Sequence, residues 1–192
     1  MIKLKYFLTI ICIFASLSLS AKHLEFMGIP ISGTINSFQA KLQAKGCSLA
    51  SNNKDLPTGI RGFTGVFAGK DCDIIVWYNH KTKIVYQVRA VVDCGSSLDN
   101  AHNTFLYYKN LLNQKYKEIA LTSDMLEDSS NGDYNFDMVI LEPPIEVGAQ
   151  AIGTINLFII EYDTYPSSYG VSITYEDLEN STKNENETLN DL

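Results

Sequence analysis

Nowhere does this sequence hold the roughly 20 consecutive apolar residues that a helix needs to cross a bilayer; its apolar run from Tyr6 to about Phe14 stops well short. Histidine is scarce, with three residues, and so is cysteine, with four. His23, His80 and His102 make neither an HxxxH nor an HExxH spacing, so no zinc-hydrolase ligand set is legible. No histidine follows His102. This removes the downstream base of a thiol protease, although Cys94-Gly95-Ser96-Ser97 has the letters of a papain-type start. No two cysteines approach the short spacing of a zinc ligand pair. Basic residues are few as well, 15 Lys and Arg against 22 Asp and Glu. An acidic chain of this kind is unsuited to a phosphate backbone, so nucleic acid is excluded as a partner.

Other motifs fail at their decisive positions. Glu127 to Met138 places Asn131, Gly132 and Asp133 like the middle of an EF-hand loop, but begins on Glu127, has Ser129 third and ends on Met138 where a bidentate Glu is needed. Glu161, Asp163, Glu176, Asp177 and Glu179 offer carboxylates without a spacing that shows two of them facing across a bond. The expectation is therefore no metal, no cofactor and no catalytic residue that can be named.

What is present starts at the N-terminus. Lys3 and Lys5, the apolar run and then Ala15, Ser16, Ser18, Ser20 and Ala21 have the order of a secretory signal peptide over residues 1–20, cleaved near Ser20 or Ala21. Cys12 sits inside the apolar run behind Ile10 and Ile11, where a lipoprotein signal has small residues, so a free periplasmic or secreted protein is expected. Cleavage removes Lys3 and Lys5, leaving 13 basic against 22 acidic residues and a net charge of −9. It also leaves Cys47, Cys72 and Cys94, an odd number in a compartment that permits disulfides. The arithmetic is at most one pair and one thiol, with all three pairings open.

Hydrophobic periodicity organises the rest. After an extended arm from Leu24 to Pro30, Thr34 caps a helix whose Ile35, Phe38 and Leu42 share a face, and Gly46 ends it. Residues 50–61 read as a loop. Strands are expected at 62–68, 72–78 and 83–92, with a turn at 79–82; in the last strand Val85, Gln87, Arg89 and Val91 share the less apolar face. Residues 96–116 read as a long helix opened by Ser96 and Asp99, with Ala101, Phe105, Tyr108, Leu112 and Tyr116 in one stripe. After a polar stretch at 123–133, further strands are expected at 135–141, 151–162 and 169–175. The Asn- and Glu-rich residues 179–192 read as a flexible acidic tail. The fold class is α+β, with two helices packed on antiparallel sheet. The halves 21–95 and 96–178 share an order that suggests two tandem α-β units.

Eleven tyrosines and nine phenylalanines are the richest material for recognition, because Tyr joins a large contact area to a polar tip. Trp77 is assigned to the core. Tyr165 and Tyr169, flanking Pro166 and Gly170 in a turn, are the exposed binding candidates, together with Tyr78.

At Leu24-Glu25-Phe26-Met27-Gly28-Ile29-Pro30-Ile31-Ser32-Gly33-Thr34, then Phe38, Leu42 and Gly46, the chain resembles a group of uncharacterised exported proteins of Bacteroides-type gut bacteria. Gly62-Phe63-Thr64-Gly65-Val66-Phe67-Ala68-Gly69, Tyr107 to Tyr116 and the ending Asp191-Leu192 continue the likeness over most of the mature chain. The resemblance implies compartment and fold rather than a chemistry. The helix-then-hairpins order is also similar to β-lactamase-inhibitor-protein-like domains and to the BamE/SmpA envelope lipoproteins, which implies action by binding other proteins. The chain departs from the lipoprotein branch in lacking its acylation signal. The expected function is a non-enzymatic module that binds a protein or cell-surface component through its open sheet face or the loops at 50–61 and 123–133. An envelope hydrolase built on carboxylates and a structural or stress-related envelope protein are the competing readings.

Overall fold

The computed structural model describes residues 22–122, 135–143 and 149–189. The signal segment, the loop at 123–133 and most of the EF-like stretch lie outside them. Two short strands, β1 (Glu25–Phe26) and β2 (Ile29–Pro30), turn back on each other through Met27 and Gly28, whose φ values of 54° and 73° are those of a tight hairpin turn. Helix α1 (Ile35–Ala44) follows, with Thr34 Oγ1 accepting the Ser37 N–H and with Ile35, Phe38 and Leu42 buried. It ends as its sequence demands. Gly46 has φ 89°, its N–H donates to the Gln43 carbonyl, and the Cys47 N–H donates to that of Leu42.

The first half then lays down β3 (Ser48–Leu49), a 3-10 turn at Asn53–Asp55, β4 (Ile60–Phe67), β5 (Lys70–Tyr78) and β6 (Val85–Gly95). Helix α2 (Leu98–Tyr116) opens the second half. Its cap is Ser97, one residue beyond the predicted Ser96, and it buries Ala101, Thr104, Phe105, Tyr108, Leu112 and Tyr116. Strands β7 (Ala120–Thr122), β8 (Asn135–Leu141), β9 (Ala151–Tyr162) and β10 (Ser168–Asp177) complete a single antiparallel sheet ordered β3-β4-β5-β6-β10-β9-β8-β7. The α+β expectation holds: the described residues form three helices and an eight-stranded sheet, beside the two-stranded β1–β2.

One sheet face carries the core. Phe26 stacks on Phe67 with ring centroids 4.8 Å apart, Phe67 stacks on Tyr108 at 5.7 Å, and Tyr175 meets the edge of Phe26 at 5.4 Å. The Tyr108 hydroxyl donates to the Phe67 carbonyl at 2.8 Å, which satisfies the polar tip of that ring.

The expected flexible tail is a helix instead, α3 (Leu178–Leu189). Its composition is polar, but it is fixed by its first turn. The buried Asp177 carboxylate accepts from the Asn180 N–H at 3.1 Å, from the Leu24 N–H at 3.0 Å and from His23 Nδ1 at 3.0 Å. Asn180 Nδ2 donates to the Ile31 carbonyl, and Asn79 Nδ2 to Asn184 and Glu187. Thus one carboxylate ties the N-terminal arm to the last helix. Burial raises the Asp177 carboxyl above the usual carboxylate range, partly opposed by the Asn180 N–H and by His23. Its proton is held more tightly in the folded than in the unfolded chain, so its contribution to stability grows as pH falls through its folded pKa and is lost as pH rises. Asp177→Asn removes that term. Urea unfolding should show the variant losing stability more steeply than wild type between neutrality and about pH 4; parallel curves would contradict the assignment.

Candidate binding face

Strand alternation sends every second residue to the face that α1 and α2 leave uncovered. Across four strands the register aligns Asp137, Asn156, Thr174 and Arg89, then Ile75 on β5, as one row of that face. A second row runs Phe158, Ser172, Val91, Asp73, Thr64. A third runs Thr154, Glu176, Gln87, Trp77. The central strand β10 contributes small side chains here, Gly170, Ser172 and Thr174, while its neighbours contribute tall ones. The taller residues lean over it.

Arg89 is the centre of this arrangement. Its guanidinium lies over the Trp77 ring at 5.1 Å and against the Phe158 ring at 5.9 Å, and its Nε donates to Thr174 Oγ1 at 3.0 Å. It therefore reaches from β6 across β10 to β9. Ser172 and Thr174 on the strand it crosses are buried to 0% and 3% exposure. Burial lowers the Arg89 pKa, since a guanidinium removed from water loses hydration that only a partner can restore. Among the described residues no carboxylate makes an ion pair with it. Beside it, Asn156 Nδ2 donates to Asp137 Oδ1 at 2.7 Å, which closes the polar row.

Toward one end of the strands the same face turns acidic. Asp71, Asp73 and Asp93 are exposed on neighbouring β5 and β6, and Tyr162 lies over Gly170, where a Cβ would come within 2.9 Å of its hydroxyl. Asp93 and Asp73 both raise the Tyr162 pKa, after burial. Asp71 and Asp93 also line an open cleft of about 850 Å³ that runs to Asn100, Asn103 and Tyr107 on α2. Both carboxylates face solvent, without the burial that would set an acid apart from a base. Among the described residues no group of three or more His, Cys, Asp or Glu is placed to hold a metal ion, and no helix is long and apolar enough to cross a membrane.

The predicted tyrosines do not come together. Tyr165 is fully exposed in the β9–β10 loop. Tyr169 packs against the core, its hydroxyl 3.5 Å from Glu161. Tyr78, at the opposite end of the sheet, packs against the core between Arg61 and Lys83 at 5.8 and 5.9 Å. Trp77, expected in the core, is half-buried on the uncovered face. Its neighbours Cys72, Ile74 and Val76 take the core side, so parity sends Trp77 out with Asp71, Asp73 and Ile75. Arg89, Thr174 and Phe158 were not singled out, although the polar residues Gln87 and Arg89 on one parity of a strand were the available signal.

Cys47, Cys72 and Cys94 are free thiols, the first two buried and the third half-buried. Burial, with Cys47 next, pushes the Cys72 thiol up to about 12. That makes it a poor nucleophile. Comparison of the chain with protein-family models, with curated proteins and with solved structures finds no match.

Proposed function

We propose that the protein is an exported, non-enzymatic binding module that engages a protein partner through the face of its sheet opposite α1 and α2. The observation that carries the reading is the Trp77–Arg89–Phe158 cluster. Rigid aromatic area around a partly desolvated arginine is the composition that dominates binding energy at protein interfaces, and this cluster lies on the central strands. The three aspartates beside it fit a partner surface that is basic, which also argues against a second copy of this acidic chain. The hydrolase reading has less support, because its best carboxylate pair, Asp71 and Asp93, is solvent-exposed.

The architecture supports two tandem units of β-lactamase-inhibitor-protein-like kind. Each half runs helix, short strand, then three antiparallel strands, and the last strands of the two, β6 and β10, pair at the centre of the sheet. In this reading the recognition cluster sits where the two units join.

The test compares the wild-type chain with Trp77→Ala/Phe158→Ala in pull-downs from envelope extract, followed by titration of each purified partner. We expect a partner with a basic surface, released by salt, whose Kd rises at least about a hundredfold in the double variant. Equal binding by the two chains, or hydrolytic activity in a broad substrate screen, would overturn the reading.

A further inference from the structure

We infer that Arg89 is a receptor for one carboxylate, supplied by an Asp or Glu side chain on the partner, which its two Nη groups take as a parallel pair of hydrogen bonds. This rests on the reading of the sheet face as the binding surface and names the chemistry at its centre. Three observations lead to it. The guanidinium is held before any partner arrives: Nε is bound to Thr174 Oγ1, and the Trp77 and Phe158 ring centroids lie 5.1 and 5.9 Å from its central carbon. Its remaining N–H groups have no acceptor among the described residues.

The chain is also rich in acids, and several lie on this very face, yet none neutralises Arg89. Asp137 accepts from Asn156, and Glu176 from Ser181, while Asp73 and Asp93 stand in exposed positions one or two rows away. A half-buried guanidinium left unpaired is costly, and a single substitution to a neutral residue would relieve it. Arg61 shows the contrast. It is the other arginine of the chain, and its Nη1 is already bound to Asn36 Oδ1 at 3.0 Å and Gln39 Oε1 at 2.6 Å.

Geometry favours carboxylate over phosphate. A fixed planar fork matches two coplanar oxygens, and the neighbouring Asp73, Asp93 and Glu176 repel a dianion more than a monoanion. The same neighbours require that the partner's carboxylate be set among basic residues, which would meet Asp71, Asp73 and Asp93.

Two arginines make the experiment direct. The full mature chain, labelled with 15N-arginine, gives two Nε–H resonances, and Arg89→Lys assigns them. The probe is a capped peptide Lys-Ala-Glu-Ala-Lys, with its Gln twin and inorganic phosphate as comparisons. We expect a saturable shift of the Arg89 resonance with the Glu peptide, at least about tenfold weaker with the Gln twin, and none at Arg61. In Thr174→Val, which frees Nε while leaving the fold readable by circular dichroism, the apparent Kd should rise about tenfold. No saturable shift, an equal response to the Gln peptide, or tighter binding of phosphate would overturn the inference. If the wider reading fails instead, the Trp77→Ala/Phe158→Ala comparison loses nothing while Arg89 still answers the Glu peptide, so the two failures are distinct.

Discussion

Replacing Phe26 by alanine is expected to cost about 4 kcal/mol of folding stability. Phe26 is fully buried and lies at one end of the ring column that continues through Phe67 to Tyr108, with Tyr175 set edge-on to both Phe26 and Phe67. These rings come from β1, β4, α2 and β10. The truncation therefore loosens a joint of both halves rather than one element's packing. A cavity forms because the neighbours are themselves pinned: the Tyr108 hydroxyl is bound to the Phe67 carbonyl, so neither ring is free to slide into the space. A domain of this size has about 5–15 kcal/mol in total, so the variant would lose a large share of its stability. The check is urea denaturation, with a lowered midpoint and an unchanged slope. Phe26→Leu should cost no more than about half as much. A loss below about 1 kcal/mol for the alanine variant would show that the site relaxes, and would refute the pinned column.

Much of this core was legible from spacing alone. Ala101, Phe105, Tyr108, Leu112 and Tyr116 recur with a helical period, and every one is buried. Gly46 stood where a left-handed residue must end α1, and the helix closes there. Strand parity, by contrast, survives only while the register does. Val85 was grouped with Gln87, Arg89 and Val91, but Trp77 pairs with Gln87 while Tyr78 pairs with Val85. Tyr86 is therefore an extra residue, and this bulge returns Val85 to the core at 0% exposure. No local pattern announces it. Helix α3 was missed for a different reason. Its polar composition resembles a solvated tail, and what fixes it is Asp177, which caps the helix by accepting from the Asn180 N–H and also accepts from His23 and Leu24, some 150 positions away.

The candidate site was harder to read because it depends on which strands become neighbours. Trp77, Arg89, Thr174 and Phe158 belong to four strands and two halves of the chain, and only the central β6–β10 pairing brings them together. Sequence enrichment in tyrosine singled out Tyr78, Tyr165 and Tyr169, which the fold keeps apart, Tyr165 in the β9–β10 loop and Tyr78 at the opposite end of the sheet. Exposure of a tyrosine in a turn follows from local composition, whereas an arginine set against two rings from different strands requires register across the sheet. The scarcity of arginine is the signal that could have been used. In a chain with two such residues, one placed mid-strand on the outward parity is worth asking about.

Close approach of backbones sets the second large expectation, that Gly153→Ala will destabilise by about 3 kcal/mol. Propensity alone argues the other way, since glycine inside a strand is worse than alanine by roughly 0.5–1 kcal/mol. The sign of the result therefore identifies the cause. A Cβ on Gly153 would lie 2.6 Å from the Glu176 carbonyl oxygen and 2.8 and 2.9 Å from Leu24 Cδ2 and Cβ. Neither neighbour can yield cheaply. The carbonyl is backbone in β10, the partner strand of Gly153, and Leu24 is buried with its N–H held by Asp177 at 3.0 Å. The same substitution at Gly170 meets its nearest atom at 2.9 Å, the Tyr162 hydroxyl at the end of a side chain, and the nearest backbone atom, the Val92 carbonyl oxygen, stands farther off at 3.2 Å than the carbonyl facing Gly153. It should be tolerated at a cost of about 1 kcal/mol or less. Placing Gly153→Ala in a Leu24→Ala background removes the Cδ2 clash and leaves those with the Leu24 Cβ and the carbonyl, so the penalty should shrink without vanishing. Denaturant midpoints of the four variants settle the matter: equal effects at Gly153 and Gly170, or a more stable Gly153→Ala chain, would mean that β9 and β10 are not held this close beside the N-terminal arm.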